Sequence, residues 1–223
     1  MRDYSITGPE NAAAVERGLA AASWYETPVP RDVLRSLVRR SNGPAARDTA
    51  IWLSAVVGGG VLVVMAWGTW WLLPALFVYG TLYGSGADSR WHECGHGTAF
   101  KAQWANSVVY YLASFMSFRE PVSWRWSHVR HHDDAIIVGR DEEIAVKRPT
   151  ALWKLAIELF AVRSVVSEAR KIGRNATGRL NGAQLEYVPA FDHRKVVWSA
   201  RVMLAAFGAV IAWSVALGSM MPL

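Results

Sequence analysis

The sequence predicts an all-α integral membrane protein: a transmembrane helical hairpin, a third span, and between them a cytosolic and interfacial helical region. Charge placement sets that class. All 24 Lys and Arg and all 18 Asp and Glu of the 223 residues fall in residues 1–48 and 88–201. The two stretches they avoid, 49–87 and 202–223, are apolar and long enough to cross a bilayer. In addition, five of the six histidines gather in two short groups between those stretches.

Residues 1–48 read as a polar, partly helical lead-in on the cytosolic side. AAAVERGLAAA and RDVLRSLVRR supply short amphipathic helices flanking ETPVP. The second, apolar on one side and Arg-rich on the other, suits either the lipid headgroup region or plain solvent. The opening MRDYSITGPENAAAVERGLA contains acids and no apolar core segment, so it is not a cleavable signal peptide.

Thr49 to Ala87 is a run of 39 uncharged residues. As one helix at ~1.5 Å per residue it would extend ~60 Å, about twice the ~30 Å hydrocarbon thickness of a bilayer. Two spans of about 18 residues fit instead, with the break at Gly68-Thr69 in MAWGTWWLLP. Two buried helices of a soluble core would need an apolar run that a soluble chain of this length seldom has. Trp70, Trp71 and Trp198 lie near the proposed span ends, where aromatic belts form.

Val202 to Leu223, VMLAAFGAVIAWSVALGSMMPL, reads as the third span. Of the 24 Lys and Arg, seven lie in 1–48 and the other 17 in 88–201, and the positive-inside bias puts both segments on the cytosolic side. The formal net charge of +6 and pI near 9.7 then describe a membrane protein with a basic cytosolic face, not a nucleic-acid binder. The single cysteine, Cys94, excludes an internal disulfide.

Within 88–201, Val108 to Phe118 is apolar but only about 11 residues long, too short to cross. A re-entrant or interfacial helix there returns the chain to the same face and brings Trp91–His96 and His128–His132 together. Residues 151–170, ALWKLAIELFAVRSVVSEAR, carry Lys154, Glu158, Arg163 and Glu168 among helically spaced apolar positions, which predicts one amphipathic helix along the membrane. KIGRNATGRLNGAQLEYVP reads as a linker rich in Gly and Asn.

The chemistry lies in the histidines. His92 and His96 in HECGH, and His128, His131 and His132 in HVRHH, are spaced so that each group presents its imidazoles on one helix face. A lone histidine is usually a satisfied polar residue, but five in two groups beside an apolar hairpin point to metal. HECGH alone also fits a catalytic zinc, with Glu93 as base and one further ligand. That reading leaves at least two histidines without a task and sets glycines on both sides of His96, where a helix is weakened. Two metal ions use the five better. A donor set rich in nitrogen and without thiolate suits iron with open positions for dioxygen. Cys94 lies two residues from each ligand, on another side of the helix, and reads as a small residue in a helix contact.

HECGH together with SHVRHHDD at 127–134 resembles the first two histidine boxes, HxxxH and HxxHH, of the integral-membrane fatty acid desaturases. HECGHGTAF is closer to the acyl-lipid desaturase form of the first box than to the alkane hydroxylase form. The resemblance covers most of 50–220, including the hairpin and the short apolar segment between the boxes. It implies two non-haem iron ions held by His92, His96, His128, His131 and His132. It also implies that O2 and two electrons, from an external donor such as ferredoxin or a cytochrome, place a cis double bond in an acyl chain. The chain would be carried on a lipid, on CoA or on an acyl-carrier protein. No general base is needed on this reading, and Glu93 becomes a residue beside the site. A membrane hydroxylase on the same scaffold begins with the same hydrogen abstraction and stays an alternative, as does the zinc protease.

The family's third box, another HxxHH after a fourth transmembrane segment, has no counterpart here. Beyond His132 only His193, in FDHRK, remains, and it reads as a surface or linker residue. The chain is therefore expected to be the N-terminal part of a longer desaturase, with an incomplete metal site and no turnover by itself. Asp133 and Asp134 are candidates for bracing ligand imidazoles, or are solvated helix-end acids. GRDEEIAVKRP reads as a charged turn, either docking an electron donor or simply wet. Trp91, Trp124 and Trp126 flank the ligands as walls of an acyl channel or as interfacial anchors. The sequon Asn175-Ala176-Thr177 is expected to stay unmodified on the cytosolic side.

Overall fold

The computed structural model describes residues 2–21, 23, 25–144, 146–158 and 161–219. Among these residues the regular structure is helical, with no strand. The helices are α1 (Pro9–Glu16), α2 (Arg31–Leu37), α3 (Gly43–Met65), α4 (Leu72–Gly95), α5 (Gln103–Met116), α6 (Pro121–Asp133), α7 (Leu152–Glu158), α8 (Val162–Ala176), α9 (Gly182–Tyr187) and α10 (His193–Leu217), with 3₁₀ turns at Leu19–Ala21 and Ala190–Asp192. The chain divides into two compact units, Met1–Glu26 with Glu120–Trp213, and Thr27–Arg119 with Ser214–Leu223.

In the second of these units α3 and α4 form the expected hairpin, broken where Gly68 takes φ +77. That is a left-handed conformation that only glycine adopts without strain. Thr69 fixes the turn: its hydroxyl donates to the Ala66 carbonyl at 2.7 Å and accepts from Trp71 N–H at 3.2 Å. The helices meet over small residues. The Trp52 indole lies on Gly86 and donates to the Leu82 carbonyl at 3.2 Å, while Gly59 faces the Tyr79 ring. Small residues at a crossing are how helices approach closely where no hydrophobic force separates lipid from protein.

Two helical segments, Gly43–Met65 and Ala190–Leu217, are long and apolar enough to cross a membrane. Only 11% and 17% of their most apolar windows are buried, so their apolar faces point outward instead of forming a soluble core, which fits a membrane protein. α4 is less apolar, because Gly, Tyr and Ser are spread through it, and it continues past residue 87 through Asp88, Arg90 and Glu93 to the first histidine pair.

α5 begins at Gln103, five residues before the expected Val108. The loop ahead of it is pinned by Asn106, whose side chain accepts from Phe100 N–H and donates to Phe100 C=O, both at 2.9 Å. Asn42 accepts from Ala102 N–H at 2.9 Å.

In the first unit Ile6, Tyr187, Val188 and Val196 form a core with Val122, Trp126, Leu180 and Ala183 packed against it. The single amphipathic helix expected over 151–170 is instead two helices, α7 and α8, with Ala161 left-handed at φ 51 before the second. Leu159 and Phe160 lie outside the described residues. The expected linker is largely helical too. α8 runs on to Ala176, and α9 starts from a capping box in which Asn181 accepts from Gln184 N–H at 2.8 Å while the Gln184 side chain accepts from Asn181 N–H at 3.1 Å. Reciprocal capping satisfies two orphan helix donors and outweighs the Gly and Asn composition. α10 starts at His193, earlier than residue 202, because Arg194, Lys195 and Arg201 belong to its first turns. Lys195 pairs with Asp192 at 2.6 Å and Arg201 donates to the Ala176 carbonyl at 2.9 Å. The last residues of the expected third span, 220–223, lie outside the described residues.

Candidate metal centre

The first histidine pair sits at the end of α4. His96 is its C-cap, and Gly97 at φ +67 closes the helix. Thr98 N–H bonds the Glu93 carbonyl at 3.2 Å and Gly97 N–H the Cys94 carbonyl at 3.0 Å, the paired pattern of a Schellman ending. Gly97 therefore stops the helix just after its last histidine. Gly95 lets α4 approach α5, since a Cβ there would lie 3.1 Å from the Tyr110 ring. The His92 and His96 rings have centroids 4.9 Å apart, and their ligating nitrogens lie within 4.8 Å of each other. Trp91 is buried beneath them, under the Arg119 guanidinium at 4.5 Å, which pairs with Asp88 at 2.6 Å.

Glu93 pairs with Arg90 on its own helix at 3.2 Å. Cys94 is buried, and that burial pushes its thiol up to about 11, with Arg90 only partly opposing it. A neutral thiol is neither a ready metal ligand nor a nucleophile. Iodoacetamide at about pH 8 is expected to leave Cys94 unmodified in the folded, detergent-solubilised protein and to alkylate it in SDS. Mass spectrometry reads the difference, and rapid labelling of the folded chain would contradict the packing.

The second group lies in the last turns of α6. This helix starts from Glu120, which is fully buried; its carboxylate accepts from Val122 N–H at 3.0 Å and Ser123 N–H at 2.7 Å, with Pro121 at the first helical position. Ser199 of α10 also donates to Glu120. His128 Nε2 and His132 Nε2 are 3.2 Å apart, one turn from each other. On its other side His128 Nδ1 bonds Glu143 at 2.9 Å, and Ser127 holds the other oxygen of that carboxylate at 3.2 Å. His131 turns elsewhere: its Nδ1 contacts both oxygens of Asp141 at 3.0 Å, and its ring lines a cleft of about 1020 Å³ shared with Tyr4, Ile136, Val146 and Arg148.

The carboxylates behind these imidazoles are thus Asp141 and Glu143, not the adjacent Asp133 and Asp134. Asp134 is buried and engaged by Arg140 at 2.9 Å and Arg130 at 3.6 Å. GRDEEIAVKRP is correspondingly no freely solvated turn, for two of its acids face inward. Trp124 and Trp126 are packing residues. Their indole N–H groups donate at 2.9 Å to Glu168 and Asp192, tying α6 to α8 and to the turn before α10. Asn175 of the sequon has no exposed surface, which closes it to modification in the folded chain. His193 is held by the Val188 carbonyl at 3.0 Å.

Residues 66–222 match the family model for fatty acid desaturases. The chain belongs to the fatty acid desaturase family. Both histidine groups lie inside the matched stretch. It is 33% identical over 106 residues to an sn-1 oleoyl-lipid 12-desaturase of Picosynechococcus sp., an alignment covering 46% of this chain and 30% of that protein. It is 31% identical over 84 residues to an omega-6 fatty acid desaturase, endoplasmic reticulum isozyme 1, of Glycine max, covering 38% and 20%. A Delta(12) acyl-lipid conjugase (11E,13E-forming) of Impatiens balsamina is 30% identical over 78 residues, covering 35% and 19%. The alignments span less than a third of each relative's length. No solved structure matches. Within each unit a histidine pair, His92 and His96 in one and His128 and His132 in the other, carries ring nitrogens that could hold a metal ion.

Proposed function

We propose that these residues supply the first two histidine boxes of a membrane-bound, non-haem di-iron acyl desaturase, with His92, His96, His128, His131 and His132 as iron ligands on the cytoplasmic face. The observation that carries this reading is the pairing of imidazoles one helical turn apart, at the end of each box helix, inside the family match. The residues fit a metal. Two imidazole nitrogens each about 2.1 Å from one ion and at right angles to each other stand about 3 Å apart, close to the 3.2 Å between His128 and His132. Imidazole donors suit iron as they suit zinc, copper and nickel, and the family match is what favours iron here.

Iron, when bound, supplies activation of dioxygen with two electrons from an external donor such as ferredoxin or a cytochrome. The protein's own part is to hold and orient. The helix ends fix the histidines, the carboxylates behind His128 and His131 steady their rings, and the apolar helices keep the region in the bilayer where acyl chains reside. The substrate is an acyl chain on a glycerolipid, on CoA or on an acyl-carrier protein. On this reading Glu93, paired to Arg90 on the helix surface, has no role as a base.

Anaerobic loading with Fe(II) followed by metal analysis tests the site. The purified chain is expected to retain iron, and Ala at His92, His96, His128 or His132 is expected to weaken retention roughly tenfold or more. One zinc per chain, with proteolysis lost in Glu93→Gln, would sink the iron reading. Gas chromatography of lipids from a host expressing the gene separates a new double bond from the hydroxylated product of a related hydroxylase.

A further inference from the structure

We propose that Glu143 is a positioning residue for His128: its carboxylate accepts the Nδ1–H and so fixes Nε2 as the nitrogen that His128 presents toward His132. The proposal rests on the metal reading above only for its purpose, because the hydrogen bond is made by this chain's own residues. Neutral imidazole carries its proton on one nitrogen or the other, and only the nitrogen without it can ligate. The Nδ1 contact at 2.9 Å is to a side chain that is only acceptor when ionised.

The remainder of the loop serves that contact. Asp141 is almost fully buried; one of its oxygens accepts from Glu143 N–H at 2.8 Å and the other from Ile136 N–H at 2.9 Å. It folds residues 136–143 back onto α6, so that Glu143 arrives beside His128 while Asp141 itself meets His131. Ser127, the residue before His128, donates to the second Glu143 oxygen and sets the carboxylate plane. The left-handed backbone of Ile136 at φ 66 and Gly139 at φ 81 makes the tight return possible. At Gly139 a Cβ would lie 2.6 Å from Asn11 N, so only glycine fits there.

The test reads the tautomer directly. Detergent-solubilised protein with ¹⁵N-labelled histidine, without metal and at about pH 8.5, where imidazole is neutral, is examined by long-range ¹H–¹⁵N correlation. His128→Gln assigns the signal. Wild-type protein should show His128 as the Nδ1–H form, favoured roughly tenfold or more, as a charge-assisted hydrogen bond dictates. Glu143→Ala should shift it toward the Nε2–H form and weaken Co(II) or Fe(II) binding roughly 10- to 100-fold. Glu143→Gln, whose amide oxygen still accepts, should keep the tautomer and recover part of the affinity. An Nε2–H form in wild-type protein, or an Ala variant with tautomer and metal affinity unchanged, overturns the proposal. If Glu143→Ala fails to fold, the wild-type and Gln spectra still decide it. Tautomer control in protein that binds no metal would uphold the role of Glu143 and count against the di-iron reading instead.

Discussion

Glu120→Ala is expected to destabilise the folded chain by about 2–4 kcal/mol and to loosen the second histidine group with it. Glu120 has no exposed surface, and its two oxygens serve the first free N–H groups of α6. Ser199 on α10 donates to the same carboxylate, so one side chain both starts α6 and ties it to the apolar helix. Alanine leaves those donors in a buried place that water does not reach, which costs more than an exposed cap would. Glu120→Gln keeps an acceptor for one backbone donor and should fall between wild type and Ala. Thermal unfolding in detergent followed by circular dichroism measures the loss. An unchanged midpoint for Glu120→Ala would show that α6 is held by its packing alone.

Gly86→Leu is expected to open the α3–α4 hairpin at a cost of about 2–4 kcal/mol, from overpacking and a lost hydrogen bond. Any Cβ at residue 86 falls within the Trp52 indole, and displacing that ring breaks its bond to the Leu82 carbonyl. Because the conflict is with one side chain, a double-mutant cycle isolates it. Gly86→Leu should cost much less in a Trp52→Ala background than in the wild type. Additive effects of the two changes would mean that the contact does not hold the hairpin together.

The hairpin and both histidine groups were legible because each rests on local periodicity: a charge-free run with a glycine break, and histidines one turn apart. Asp141 and Glu143 were not, since they lie 10 and 15 residues along the chain from the imidazoles they meet, past the end of α6 and across an irregular loop, and such a return has no period. Proximity in sequence pointed to Asp133 and Asp134, yet Asp134 is taken by two arginines. The α9 start was readable in principle, because Asn181 and Gln184 stand at capping-box spacing. Composition drew attention to a linker instead. Glu120 could be suspected from the proline after it, although a glutamate is an uncommon cap. Trp124 and Trp126 gave no local sign that their N–H groups would find carboxylates far along the chain.

The two box helices share one property that no single residue conveys: each presents its histidines at its carboxyl end. There the aligned peptide dipoles leave a partial negative charge of about half an electron. Imidazoles are uncharged donors, so an ion bound by them keeps its full positive charge. The backbone answers part of that charge through space, about 0.3–1 kcal/mol per unit charge at each helix end, without using a coordination position. The same histidines at the amino ends would place a cation against a positive pole. The direction in which the chain runs through α4 and through α6 would therefore favour a cation over an anion beside either histidine group.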